Sequence, residues 1–125
     1  MTSDPTFTIP QRPTRRYPHR GGVEYVGETV FGLEPAGDCS DDGLVDLVET
    51  VLSEEPYTYG DWFDLPMPLF LVHDGETGDV FRVGIRDGRI EFHVLPATES
   101  AGLRALFDRL RAASETTWQV ECDTA

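Results

Sequence analysis

The chain has 125 residues and a formal net charge of −13, which reflects 23 acidic side chains against 10 lysine and arginine side chains. All ten of those cations are arginine, so the sequence excludes a Walker A lysine and a Schiff-base nucleophile. The length suits one domain that can bury its own core. No apolar run approaches the ~20 residues of a membrane span.

The first residues of the chain and its two cysteines indicate in which cellular compartment the protein is expected. The first residues lack the charged-then-apolar layout of a signal peptide, which predicts a cytoplasmic protein. Cys39 and Cys122 lie far apart and form no CxxC pair. We expect free thiols in a reducing compartment, although the sequence leaves a disulfide between them open.

The acidic, lysine-free composition resembles that of small proteins from extreme halophiles. In near-saturated salt, carboxylates keep a protein surface hydrated and ions screen their mutual repulsion. The acids are scattered rather than gathered in one tail, which favours salt adaptation over a surface that binds basic partners or mimics DNA. The resemblance covers composition alone, so it implies a habitat and no activity.

Residues 1–20 predict an extended, poorly ordered arm, followed by a single domain over residues 21–125. Proline is frequent in the arm and removes backbone donors that helices and sheets need. Four arginines against Asp4 give the arm +3 and leave −16 for the rest. These arginines, which could contact nucleic-acid phosphates, are Arg12, Arg15, Arg16 and Arg20. The acidic body and high salt both oppose that contact, so nucleic acid is not the expected partner.

The next segment predicts strands and a helix. Alternation over residues 23–33 favours a hairpin with a type II′ turn at residues 27–28, or else a single longer strand. A helix should begin near Ser40 or Asp41, both good N-caps, and present one apolar face. Pro56 should end it.

Residues 56–68 predict a long loop that covers an edge or an end of the sheet. Four aromatic side chains in so short a stretch are too many to leave exposed, and loops of this length are often functional. The aromatic residues are Tyr57, Tyr59, Trp62 and Phe63.

Residues 69–95 predict an antiparallel meander of three strands separated by two glycine turns. Asp87-Gly88 favours a two-residue type I′ turn, which places Arg82 opposite His93 and Gly84 opposite Glu91. Alternation then assigns one wholly apolar face to Phe70, Val72, Phe81, Val83, Ile85, Ile90, Phe92 and Val94. The other face receives Leu69, Leu71, His73, Arg82, Gly84, Arg86, Arg89, Glu91 and His93.

A second amphipathic helix should start at Thr98 or Ser100 and reach residue 113, and a closing strand should cover residues 117–122. The predicted order is ββ-α-βββ-α-β. Since both helices and the meander each have one apolar side, we predict an α+β fold with an antiparallel sheet and both helices on one face.

The polar face of the meander is the best candidate site. Arg82 could hold an anion, His93 could donate or accept a proton, and Glu91 lies diagonal to them. Gly84 leaves room on the central strand for something to approach. The simpler interpretation is a solvated outer face, on which neighbouring side chains of adjacent strands suit each other but have no function.

Other candidate sites are weaker. GxSxG, HExxH and GxGxxG are absent, and three histidines at positions 19, 73 and 93 show no metal-ligand spacing. Cys39 precedes a helix start, but nearby aspartates disfavour a thiolate. Asp74, Glu76 and Asp79 lack EF-hand spacing and predict a solvated turn. No catalytic residue, metal or cofactor is therefore predicted.

Three functions remain open. The first is a non-enzymatic binding or regulatory module that uses the polar sheet face and the aromatic loop against a protein or small ligand. The second is an enzyme on the same face, and the third is a nucleic-acid accessory protein that acts through the arm. The chain is expected to be a monomer, or a homodimer that covers Leu69 and Leu71.

Overall fold

A computed structural model describes residues 7–10, 14–16, 24–26, 29–37, 39–61, 69–114 and 116–124, with backbone alone at 14–16, 24–26 and 61. The strands are β1 (Thr14–Arg16), β2 (Glu24–Val26), β3 (Thr29–Pro35), β4 (Tyr57–Asp61), β5 (Leu69–Asp74), β6 (Val80–Arg86), β7 (Arg89–His93) and β8 (Trp118–Thr124). The helices are α1 (Asp41–Leu52) and α2 (Ser100–Ala113).

Six antiparallel strands form one sheet in the order β4-β5-β6-β7-β3-β8, and β1 pairs with β2 in a separate two-stranded sheet. The buried faces of α1 and α2 join the apolar side of the large sheet in one core. This arrangement confirms the predicted α+β fold with both helices on one face. Within the described residues, neither helix is long and apolar enough to cross a membrane.

The meander has the predicted register. Arg82 pairs with His93 and Gly84 with Glu91 across β6 and β7. Asp87 and Gly88 take φ values of 53° and 73°, the positive values that a type I′ turn requires at both central positions. All eight residues assigned to the apolar face are at most 3% exposed.

Both helices also confirm their predicted starts. Ser40 caps α1, and its hydroxyl accepts a hydrogen bond of 3.1 Å from the amide of Gly43. Glu99, the residue that precedes α2, forms no capping hydrogen bond with its side chain. Instead Asp79, the residue immediately before β6, accepts a hydrogen bond of 2.9 Å from the Glu99 amide through its Oδ1. The β5–β6 turn therefore supplies the cap of α2.

The predicted hairpin over residues 23–33 is wrong. β2 pairs with β1, whereas β3 pairs with β7 on one side and β8 on the other. Phe31 and Leu33 on β3 are 3% and 0% exposed, so long-range burial beside β7 prevails over pairing with the nearest strand.

The predicted aromatic loop is wrong over its first part, because Tyr57–Asp61 is the edge strand β4. Its side chains alternate, so that Tyr57 is buried and Tyr59 packs edge-on against Phe70 at 5.8 Å. Trp62 and Phe63 lie outside the described residues.

The predicted arm contains a core residue. Phe7 is 2% exposed, and its ring contacts aromatic rings of β3, β7 and α2. The proline-based expectation of a poorly ordered arm missed this anchor. It also missed the strand pairing of β1. A domain boundary at residue 20 stays a prediction, since residues 17–23 lie outside the description.

Candidate functional site

The outer face of the large sheet, opposite the helices, carries a compact charged cluster centred on Glu91. Glu91 lies in the middle of β7, and its neighbours in register are Gly84 on β6 and Gly32 on β3. Its side chain is fully buried, at 0% exposure. A carboxylate in this position needs several donors, because burial without partners would be very costly.

Three side chains supply those donors. Arg89 binds Oε2 of Glu91 through Nη2 at 2.8 Å and through Nε at 3.1 Å. Arg86, directly opposite Arg89 beside the turn, binds the same oxygen through Nε at 3.1 Å. Nε2 of His93 lies 3.1 Å from Oε1. Both carboxylate oxygens are thus bound, and two guanidinium groups share one of them.

Gly32 makes room for this arrangement. A Cβ at position 32 would lie 2.9 Å from Nη1 of Arg89 and 3.3 Å from its Cζ. The guanidinium therefore lies close above the β3 backbone, where any larger residue would displace it.

The ion pairs fix the charge state of the cluster. Burial opposes ionisation of Glu91, but hydrogen bonds from Arg89 and Arg86, with the charges of Arg86 and His93, hold its pKa below the ordinary value. The hydrogen bond to Glu91 raises the pKa of Arg89, and Asp123 and Glu34 add to that effect. The Glu91 carboxylate is therefore held in its ionised form beside the charged Arg89.

The arginines of α2 form ion pairs with exposed or half-exposed acids instead of a buried one. On α2, Arg104 and Arg111 both pair with Asp108, and Arg109 pairs with Glu76. On the outer faces of β6 and β7, three arginines stand beside one acid, Glu91, so these two strands carry +2 there if His93 is neutral. The three are Arg82, Arg86 and Arg89.

The outer face also has an acidic side. Glu121 on β8 lies in register with Gly32 and so shares the face of Glu91, and Asp123 follows two residues later. Both are exposed. On this face β3 separates the basic strands β6 and β7 from the acidic edge strand β8. The arginines of β6 and β7 thus form a local basic area in a chain whose net charge is −13.

The predicted site residues separate into two groups. Arg82, His93 and Glu91 lie on one face, as the turn predicted. The expectation of a solvated face missed that Glu91 is buried and that Arg86 and Arg89 bind it. Their signal was present in the sequence, because both arginines flank a two-residue turn and lie within five residues of the acid.

The aromatic and arm residues do not join this cluster in the described structure. Tyr57 and Tyr59 pair with Asp74 and Val72 and face the core, on the side opposite Glu91. Arg15 and Arg16 lie in β1, where only the backbone is described, and the other members of the set, Trp62, Phe63, Arg12 and Arg20, fall outside the described residues.

The turn at residues 74–79 is exposed at Glu76, as predicted, but its two aspartates are buried, which corrects the expectation of a solvated turn for Asp74 and Asp79. Asp74 is 0% exposed and Asp79 is 4% exposed. Asp74 Oδ1 accepts from the amides of Glu76 and Thr77 at 2.8 and 3.3 Å. Burial raises the pKa of Asp79, although the amides of Glu99, Val80 and Gly102 oppose that effect. These acids serve the turn and the start of α2.

The remaining candidates offer little chemistry. Cys39 and Cys122 are exposed free thiols, and Cys39 lines an open depression of about 340 Å³ beside the Asp87-Gly88 turn. No group of three or more His, Cys, Asp or Glu residues suited to a metal occurs in the part of the chain that the structure describes. The Glu91 cluster is therefore the best-built polar site there. Comparisons of the chain with protein-family models, with curated proteins and with solved structures find no match.

Proposed function

We propose that this protein is a small non-enzymatic binding module, adapted to high salt, whose outer sheet face binds an anionic group of its partner. The observation that carries the proposal is the fully buried Glu91 carboxylate, whose Oε2 holds Arg86 and Arg89 side by side. Two guanidinium groups would otherwise repel each other. The buried acid organises them before any ligand arrives.

Stability alone is a weak reason for such a cluster. The cost of burying a carboxylate often cancels the attraction of its partners, and apolar replacements of buried ion pairs are frequently neutral or stabilising. Charged clusters with shifted pKa values are instead common at functional sites. We therefore interpret the arrangement as a positioned pair of cations.

The pair retains donors for a ligand. Within the described residues, Arg86 uses only its Nε on Glu91, and its two terminal nitrogens make no further hydrogen bond. Its side chain is 54% exposed, compared with 24% for Arg89. A planar guanidinium with free terminal nitrogens matches the two oxygens of a carboxylate or a phosphate.

High salt makes this geometry more important. Long-range attraction is screened within ~3 Å at 1 M ionic strength, so a general positive field would recruit little. Directional hydrogen bonds from preorganised groups survive such screening better than unpaired surface charge does. An anion site in a halophilic protein should therefore be built from fixed arginines.

The proposal is tested by two-dimensional NMR of the arginine Nε–H groups during titration with sodium phosphate or sodium glutarate. Chloride keeps the ionic strength constant at molar concentration. We expect saturable shifts at Arg86 and Arg89, and the two anions distinguish a phosphate site from a carboxylate site. Arg86→Ala should abolish saturation. The matched control, Arg104→Ala, removes an arginine that is already paired with Asp108 on α2 and should leave it intact.

Linear shifts that are equal at every arginine would contradict the proposal, because they would report only bulk ion effects. Binding that survives Arg86→Ala in a folded protein would also contradict it. Saturation by neither anion in the wild-type chain would reject an anion site on this face.

An enzyme on the same cluster is the second candidate. The contact of 3.1 Å between Glu91 Oε1 and His93 Nε2 resembles the way in which a carboxylate orients a general base. The candidate predicts hydrolysis of p-nitrophenyl phosphate or p-nitrophenyl acetate that His93→Gln abolishes. Absence of turnover above the His93→Gln background would reject it for these two reactions.

A further inference from the structure

Strand β8 (Trp118–Thr124) is an edge of the large sheet whose outer side is open. It pairs with β3 over all seven residues without a bulge, and the sheet order places no strand beyond it. Among the described residues, no further backbone hydrogen bond reaches it. Free backbone groups at a sheet edge readily pair with another strand, so sheets usually cover an edge or interrupt it with proline or a bulge. β8 has neither of these interruptions.

A hydrogen bond just before β8 shows which of its backbone groups face the open side. The carbonyl of Thr117 accepts a hydrogen bond of 2.9 Å from the amide of Ala36, which follows β3. Because backbone groups alternate in direction along an antiparallel strand, the odd-numbered residues of β8 point toward β3. The amides and carbonyls of Val120 and Cys122 therefore point away from the sheet. An added strand can bind them without breaking a hydrogen bond to β3.

The opposite edge strand, β4, is partly closed. The carbonyl of Pro56 faces β5, where it accepts from the amide of Gly75 at 3.0 Å, so the amide of Tyr57 faces the free side. That amide already donates to the carbonyl of Glu54 at 3.1 Å. β8 is thus the more accessible of the two edges in the described structure.

The side chains of β8 define what an added strand would contact. On the inner face, Trp118 and Val120 pack against the core but stay partly exposed, and Cys122 is exposed. On the outer face, Glu121 and Asp123 are exposed, and within the described chain neither forms a salt bridge. An added strand would therefore extend the apolar inner row and place every second side chain beside these carboxylates.

The two carboxylates decide the charge of the partner. A second copy of β8, laid antiparallel along this edge, would bring acid beside acid, which destabilises a cross-strand pair. A strand with arginine or lysine at alternate positions would place cations beside Glu121 and Asp123 and gain their attraction. Charge complementarity therefore favours a basic partner over a second copy.

We propose that the open edge of β8 is a docking site for an extended protein segment that alternates basic with apolar residues and adds a seventh strand to the sheet. Main-chain hydrogen bonds to Val120 and Cys122 supply the attraction, and Glu121 and Asp123 select the basic side chains. The inference does not rest on the anion site, which lies on β6 and β7.

The test uses the full-length chain and a seven-residue peptide that alternates arginine with valine. Two-dimensional NMR and hydrogen exchange follow the backbone amides of β8. We expect saturable shifts along β8 and about tenfold slower exchange at Val120 and Cys122, because both amides gain a partner. The amide of Glu121 already faces β3 and should change little. Absence of saturable shifts on β8 would overturn the proposal.

Modified peptides separate backbone pairing from charge. Residues that lie directly opposite Val120 and Cys122 share their face, so the valine amides of the peptide point at β8 and its arginine amides point to solvent. N-methylation of the valines should abolish binding, whereas N-methylation of the arginines should preserve it. A glutamate–valine peptide should bind several-fold more weakly than the arginine–valine peptide. Equal binding by the two N-methylated peptides, or by the acidic and basic peptides, would overturn the proposal.

Cys122→Pro tests the same edge from the side of the chain. Proline removes the outward donor of Cys122 but no hydrogen bond to β3, so we expect binding to be lost from a folded protein. The matched variant Cys122→Ser keeps the donor and should bind as the wild-type chain does. Undiminished binding by a folded Cys122→Pro chain would overturn the proposal, and if that variant does not fold, the two N-methylated peptides decide.

Protection of the Val120 and Cys122 amides that rises with protein concentration, without peptide, would assign the edge to a second copy. That result would also overturn the proposed partner.

Discussion

The two faces of the β6–β7 hairpin share one strand register but bury different kinds of side chain. On the inner face, Phe81, Val83, Ile85, Ile90 and Phe92 are all 0% exposed and bury apolar surface against the helices. On the outer face, Glu91 is equally buried, but only because cations enclose it. Burial alone therefore does not distinguish a core from a site. The difference is that a buried apolar side chain needs no charged neighbours, whereas the buried Glu91 carboxylate is ionised only because arginines contact it.

The difference separates residues that stabilise the fold from residues assigned to the proposed anion site. Inner-face residues contribute through area removed from water, a contribution that hardly depends on pH. The outer face contributes little net stability but fixes the direction of two arginines. Mutations on the two faces should therefore differ in size, in pH dependence and in their effect on anion binding.

The largest effect is expected from Phe92→Ala on the inner face. The ring packs against Phe7 and Phe81, at centroid distances of 5.9 Å each, and is fully buried. Its loss should lower the free energy of unfolding by about 3–5 kcal/mol, measured by denaturant titration. A loss below about 1 kcal/mol would mean that the inner face is not the core.

Gly102→Ala should have the next largest effect. A Cβ at this position in α2 would lie 2.7 Å from Cγ of Asp79, the residue that caps the helix. We expect a loss of about 2–3 kcal/mol, since neither the helix nor the turn can yield easily. The control is Gly43→Ala in α1, whose Cβ would meet only Ser40 Oγ, at 3.3 Å. That change should stay within about 1 kcal/mol, and equal losses in the two helices would contradict the cap.

Glu91→Gln tests the outer face directly. The substitution keeps the size of the side chain but removes the charge that holds Arg86 and Arg89, so we expect a loss of about 1–3 kcal/mol. Glu121→Gln lies in the same row of the sheet, is exposed and should change stability by less than about 0.5 kcal/mol. Similar values for the two variants would show that Glu91 is not specially bound.

The pH dependence of stability should distinguish two buried acids. The pKa of Glu91 is lowered, so the native state holds fewer protons than the unfolded chain. Its contribution is present above the unfolded value of about 4.3 and is lost as pH falls through the lower folded value. The pKa of Asp79 is raised, so its ionisation opposes folding. Stability therefore decreases as pH rises from about 3.9 through its folded value.

Denaturant midpoints across this pH range give the measurement. The wild-type chain should lose more stability than Glu91→Gln between pH 5 and pH 3, because Glu91 takes up its proton in this pH range. Parallel curves for the two proteins would contradict a lowered pKa at Glu91.

Arg86→Ala is expected to have the smallest effect. The side chain is half exposed and Arg89 still binds Glu91, so the loss should stay below about 1 kcal/mol. The same variant should nevertheless abolish the phosphate-dependent NMR shifts. A large loss of stability without any change in binding would assign the arginine to the fold rather than to the site.

Local chemistry predicted much of this molecule. Asp87-Gly88 set the register of the meander, and Ser40 set the start of α1, because the physical cause of each lies within a few residues. The partner of β3 could not be predicted in this way. Its alternation is satisfied equally by a nearby hairpin or by β7 and β8, and only the assembled core distinguishes them.

Two structural features could not be predicted, for related reasons. Phe7 lies among prolines, so its segment predicted disorder, and only the distant rings of Phe31 and Phe107 make its burial favourable. Glu91 alternates as an outward residue, and nothing nearby indicates that Gly32, from another strand, leaves space for Arg89 above it. Sequence periodicity predicts the face on which a residue lies, but not what encloses it.

The central claim is that Glu91 is an ionised, buried acid bound by fixed cations on the face away from the helices. The most direct measurement is a titration of the Glu91 side-chain carboxyl carbon by NMR in the wild-type chain. The account predicts a pKa below the ordinary value of about 4.3, and a shift toward that value in Arg89→Ala, which removes the largest opposing contact. A wild-type pKa at or above the ordinary value would contradict the cluster, and with it the proposed anion site.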